Sequence, residues 1–181
     1  MKKERFEALT DAIMAIIITI MALEIKLPDL SPDGIQEFVS QIGIYIVSYA
    51  FIAILWINHH QIFKHLKAVD LTTLWINFLL MFATSLIPLV TRTIDESFYN
   101  NSSHILFAAV FGSATLFYFL LDEKAIKQSE NKRSADTRKM NLIATALFFL
   151  AIPLSYISVY ISTAIFVLVP FSYFLLPNKM N

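Results

Sequence analysis

The chain has no cysteine, only three glycines and little charge, 15% of its 181 residues. Without cysteine there is neither a disulfide framework nor thiolate chemistry. An ordinary soluble domain carries roughly 25% charged residues. This one instead has 57% hydrophobic residues and a mean hydropathy of +0.63, which is the composition of an integral membrane protein. The 14 basic and 14 acidic side chains cancel, so no net field recruits nucleic acid or an anionic surface. No apolar run carries a ladder of arginines, which excludes a voltage sensor. The first apolar run also lacks an A-x-A-like cleavage site, so it is expected to remain in the protein.

What the chain does have is long uncharged stretches. A helical crossing takes about 20 apolar residues for a hydrocarbon core of roughly 30 Å. Phe38 to Ile57, Leu71 to Thr91 and Ile105 to Leu121 each supply one. No charge occurs between Met140 and Asn178, which at helical rise is about 58 Å and therefore two crossings, with a turn near Ser155, Tyr156 and Ser158 after Pro153. With the opening segment the expectation is all-α: one domain over 1–181 with six transmembrane helices, approximately 6–27, 38–57, 71–91, 103–121, 140–155 and 158–177. With both termini cytoplasmic, twelve Lys and Arg residues fall inside and only Lys26 and Arg92 outside, as the positive-inside rule requires. The expected location is a cell membrane, with the lipid bilayer as the first partner.

The opening segment is short of apolar length. Twelve uncharged residues separate Asp11 from Glu24, about 18 Å of helix. Charges at membrane depth cost at least roughly 2.5 to 3.5 kcal/mol and normally face protein or a water-filled cavity. A helix beside an aqueous path meets that demand. Ile16, Ile20 and Leu23 fall within about 60° of one another on the helical wheel, with Thr19 at the edge of the stripe. Spacing alone allows two roles for that stripe: an apolar constriction, or packing on lipid or a neighbouring helix.

Asp11 needs a partner from elsewhere, because Arg5 lies about 240° away around the same helix. The second crossing ends in "WINHHQIF" at the matching depth and brings Trp56, Asn58, His59 and His60 as donors. The histidines do not make a convincing set for zinc, di-iron or haem, and His104 lies on the opposite side of the membrane, so no metal or cofactor is expected.

These residues resemble the transmembrane protein 175 family of potassium channels. That family's first helix opens with Arg, three residues, then Phe-Ser-Asp. Here the frame reads Arg5, "FEA", Leu9, Thr10 and Asp11, with Leu in place of Phe and Thr in place of Ser. The resemblance continues through Trp56, His59 and Phe63, and through Asn77 and the "LIP" that contains Pro88. It is carried by the first half of the chain, the second half matching in crossing number and hydrophobicity. It implies a homotetramer with a central pore lined by first helices, constricted by rings of Ile16, Ile20 and Leu23. Thr19 takes the selectivity-linked position, and Arg5, Thr10, Asp11, Trp56 and His59 form a hydrogen-bonded support for the pore helix. The permeant ion would be potassium.

Gly34, Gly43 and Gly112 stand in no TVGYG-type motif, so selectivity would have to come from side-chain constriction and would be modest over sodium. A secondary transporter and a non-conducting membrane subunit are the alternatives. No Gly/Pro-interrupted helix pair in matching halves supports the first. No catalytic residues are expected, since the chain has no nucleophile-base motif.

Overall fold

The computed structural model describes residues 3–28, 30–66, 69–128 and 135–173. Among the described residues there are seven helices: α1 (Lys3–Leu23), α2 (Pro32–His65), α3 (Leu71–Ser85), α4 (Ile87–Glu96), α5 (Asn101–Gln128), α6 (Ala135–Ser155) and α7 (Val159–Ser172). No strand occurs among the described residues. Counting α3 and α4 as one stretch, five are long and apolar enough to cross a membrane, and α7 is a shorter apolar helix. The protein is thus an all-α, multi-pass membrane protein.

Several helix bounds differ from those expected of the charge-to-charge runs, each for a local reason. α1 stops at Leu23 rather than 27: the Ile25 N–H tightens onto Ala22 O at 3.3 Å, and the next one, of Lys26, leaves the helix for the Gln41 side chain at 3.0 Å. α2 has 34 residues, about 51 Å, against an expected span of 38–57. It starts where Ser31 Oγ accepts the Gly34 N–H at 3.2 Å with Pro32 opening the first turn, and it runs on through polar Asn58, His59 and His60. Charge ends an apolar run but does not end a helix, whose backbone bonds close internally in lipid and water alike. For the same reason α5 extends beyond the expected 103–121 and α6 begins before 140. α7 begins at Val159, and residues 174–177 of its expected span lie outside the described residues.

The expected single helix 71–91 is broken at Leu86. Pro88 has no N–H to offer the Thr84 carbonyl, and its ring crowds that carbonyl. The Leu86 N–H turns back to Ala83 O at 3.2 Å, closing α3 with a tight turn before α4 sets off.

Packing centres on α5, which touches α2, α3, α4, α6 and α7. An aromatic ladder fills this centre: Phe51 on Phe111 at 4.3 Å between ring centroids, Phe111 on Phe107 at 4.0 Å, and Phe107 on Phe166 at 4.5 Å. Gly112 keeps α6 close, since a Cβ there would meet the Phe149 ring at 3.3 Å.

At the start of α3, Asp70 Oδ1 accepts the Thr73 hydroxyl at 2.6 Å and the Thr73 N–H at 2.8 Å, while Lys124 sits 3.0 Å from its other oxygen. The Thr73 hydroxyl first, then the N–H and Lys124, pull the carboxyl down to about 2. A depressed folded value means that the cap's contribution is complete above the ordinary 3.8 and is lost as pH falls towards 2. The expected result is that Asp70→Ala lowers thermal stability near neutral pH. The difference from wild type should close as pH is taken down to about 2 in a melting series.

Candidate pore helix and its anchors

α1 has two faces. Phe6, Thr10, Met14, Ile17 and Met21 recur at intervals of three and four and are buried against the rest of the chain. Ile16, Ile20 and Leu23 stand on the other face with 57%, 45% and 80% of their surface exposed, whereas the adjacent Ile17 keeps 3%. Thr19 shares the exposed face, and its hydroxyl donates to Ala15 O of the same helix at 2.9 Å. With the proton spent on the helix, the oxygen's free lone pairs are left to accept from whatever meets that face.

The buried face is tied down by a directed chain of hydrogen bonds. The Thr10 hydroxyl donates to Phe6 O at 3.2 Å and can therefore only accept from Asn77, whose Nδ2 lies 3.0 Å away. That places Asn77 Oδ1 towards His59, so His59 Nε2 carries the proton and donates at 2.7 Å. Thr10, His59 and Asn77 are all buried, and the His59 ring stacks on Phe63 at 4.6 Å, which in turn packs on Phe6 at 5.5 Å. Beside this chain, Trp56 Nε1 donates to Asp11 Oδ1 at 2.9 Å, and His60 Nδ1 lies 2.8 Å from Glu7 Oε1.

Of the residues expected to support α1, the structure thus pairs Asp11 with Trp56 and joins Thr10 to His59 only through Asn77. Arg5 is not joined to them. It is exposed, has no hydrogen-bond or ion-pair partner among the described residues, and lies on the wheel within about 20° of Ile16. Sequence reasoning left Asn77 out of the network, although a lone amide in the run 71–91 was the available signal. The Glu7–His60 pair was signalled by Glu7 standing four residues before Asp11, as His60 stands four after Trp56.

The other end of α1 is held by charges. Arg92 reaches Glu24 at 3.2 Å and Glu96 at 3.0 Å, and Lys26 reaches Glu96 at 3.1 Å. Gln41 links this cluster to α2, donating to Asp95 at 2.8 Å while accepting from the Lys26 backbone. Lys26 and Arg92, the two cations set apart from all others by the charge count, are thus paired with the acids that end α1 and α4. No sequence spacing announces these pairs, because 68 residues separate Glu24 from Arg92.

Residues 5–88 match the family model of the endosomal/lysosomal potassium channel TMEM175. A potassium channel of Chryseobacterium sp. (strain P1-3) is 32% identical over 99% of this chain and 95% of its own length. The zebrafish (Danio rerio) endosomal/lysosomal proton channel TMEM175 is 27% identical over 97% of this chain and 40% of its own. Among solved structures, the lysosomal potassium-selective channel TMEM175 homolog from Chamaesiphon minutus superposes with a TM-score of 0.76 at 24% identity, covering 96% of each chain, which is agreement in fold. The 32% identity to the Chryseobacterium protein over nearly the full length of both chains, together with the family-model match over α1, α2 and α3 with Thr10, Asp11, Trp56, His59 and Asn77, establishes that this chain belongs to the TMEM175 family.

Proposed function

We propose that the protein is a homotetrameric potassium channel whose pore is lined by α1, with Ile16, Ile20 and Leu23 as stacked apolar rings, Thr19 between them and modest selectivity over sodium. The observation that carries this reading is the exposed apolar stripe on a helix whose opposite face is bonded into the protein. Lipid could cover such a stripe too. The stripe, however, ends in charge on both sides, at Arg5 and beside Glu24, and bears the hydroxyl of Thr19, which suits a water-filled vestibule at each end better than continuous hydrocarbon. Aliphatic rings block ions by dewetting, and a cation that passes them sheds only part of its hydration. The names of the bacterial relatives point to potassium and that of the zebrafish relative to protons. No cofactor is needed for such conduction, and no catalytic role is assigned to any residue.

The test is flux from liposomes holding the purified full chain. Potassium is expected to leave down its gradient faster than sodium, with proton movement followed in parallel by an internal pH dye. Liposomes no leakier than empty ones to all three ions would overturn the reading in favour of a non-conducting subunit, and flux coupled to a second ion would favour a transporter.

The proposed orientation puts both termini and Lys127 in the cytoplasm and Tyr99 outside. Because the chain has no cysteine, Lys127→Cys and Tyr99→Cys each carry a single thiol. An impermeant maleimide applied to intact cells is expected to label position 99 and not 127. The opposite pattern would invert the topology.

A further inference from the structure

A groove of about 380 Å³ runs between α6 and α7, away from α1 and its anchors. Ile143, Ala144 and Leu147 line it on α6 and Val169 on α7, with Ser172 and Lys139 at one end. The Ser172 hydroxyl's proton is spent on Val169 O at 2.6 Å, so Lys139 is the donor left to meet an occupant. From Lys139 to Leu147 the helix descends eight residues, about 12 Å, most of the roughly 15 Å depth of one leaflet's hydrocarbon. Ile143, Leu142 and Leu168 remain 57%, 55% and 66% exposed, so the groove opens on the apolar flank of the bundle.

The charges decide what fits. Arg138 is neutralised by Glu123, its Nη2 lying 2.9 Å from Oε2. Asp122 is buried and held by Asn141 at 3.2 Å. Lys139 is exposed and has no ion-pair partner among the described residues. One ammonium without an ion-pair partner among the described residues, at headgroup level above a leaflet-deep apolar trough, complements an acyl chain carrying a net negative headgroup. A zwitterionic lipid would bring its own ammonium against Lys139. We propose that this groove is a binding site for an anionic phospholipid, with one acyl chain along Ile143, Leu147 and Val169 and its phosphate on Lys139.

The absence of cysteine supplies the test. Ile143→Cys in the full chain is labelled with a bimane dye and reconstituted in vesicles of mixed phosphatidylcholine and phosphatidylglycerol, with brominated chains on one lipid or the other. Brominated phosphatidylglycerol is expected to occupy the site about fivefold in preference to brominated phosphatidylcholine and to quench accordingly, the ratio one surface lysine confers. Adding Lys139→Gln should abolish the difference and Lys139→Arg should keep it. Dye at Leu150→Cys, eleven residues and about 16 Å down the same helix from Lys139 and so beyond that leaflet's depth, should be quenched equally by both. Equal quenching at position 143, a preference that survives Lys139→Gln, or protection from both lipids because a second protein surface covers the groove would each overturn the proposal.

Discussion

Replacing Ile16 by Asn is expected to raise single-channel conductance severalfold and to move the potassium-to-sodium permeability ratio towards unity. In a tetramer the substitution puts four amides into one ring, and polar side chains hold water where an aliphatic ring expels it. Ile20→Asn and Leu23→Asn should act in the same direction. Ile17→Asn is the control. Its side chain is 3% exposed and packs into the chain, so the amide would be buried without a partner, costing roughly 2–5 kcal/mol and showing as lost protein rather than altered permeation. The readout is unitary current and reversal potential under opposed potassium and sodium gradients in planar bilayers. An unchanged current in Ile16→Asn together with a changed one in Ile17→Asn would mean that the other face of α1 meets the ions.

Asn77→Ala should be among the most damaging single changes outside the exposed face of α1. Asn77 is the only link between Thr10 on α1 and His59 on α2 in the chain of bonds, and its removal strands the His59 N–H and deprives the Thr10 oxygen of its donor. Each unsatisfied buried group costs about 1–3 kcal/mol, so a loss near 3 kcal/mol is expected, or a fall of about 6–12 °C in melting temperature for a chain of this size. Trp56→Phe removes one bond to the less buried Asp11 and should cost less. Thermal melts of the purified proteins, with tetramer recovery on size exclusion, make the comparison. A melt for Asn77→Ala within a degree of wild type would show that the chain of bonds does not hold α1.

The two ends of α1 are secured by different physics. At the His59 end Thr10, Asn77 and His59 are buried, so salt has little access to them. At the Glu24 end the paired side chains of Arg92, Lys26, Glu24 and Glu96 are 39–61% exposed, where individual ion pairs contribute roughly 0–1 kcal/mol and weaken as salt rises. The firm anchor therefore lies near Thr10, and the Leu23 end is the more yielding.

Composition and spacing alone determined the class of this protein and the wheel positions of α1's two faces, because lipid admits only long apolar helices and a 100° step per residue is a property of the α-helix itself. That Asp11 would find its donor among Trp56, Asn58, His59 and His60 was also legible, since a charge short of the membrane surface must find a donor at its own depth, but that Trp56 is the one was not. Which donor completes a buried chain was not, because Asn77 meets Thr10 and His59 only after three helices have packed. The break at Leu86 needed the structure as well: Pro88 marks a possible fault, but packing decides whether a helix bends or parts there. The Glu24–Arg92–Glu96–Lys26 cluster, and the ammonium of Lys139 that is unpaired among the described residues, likewise belong to tertiary structure, because whether a charge is paired depends on distances in space that bear no relation to distances along the chain.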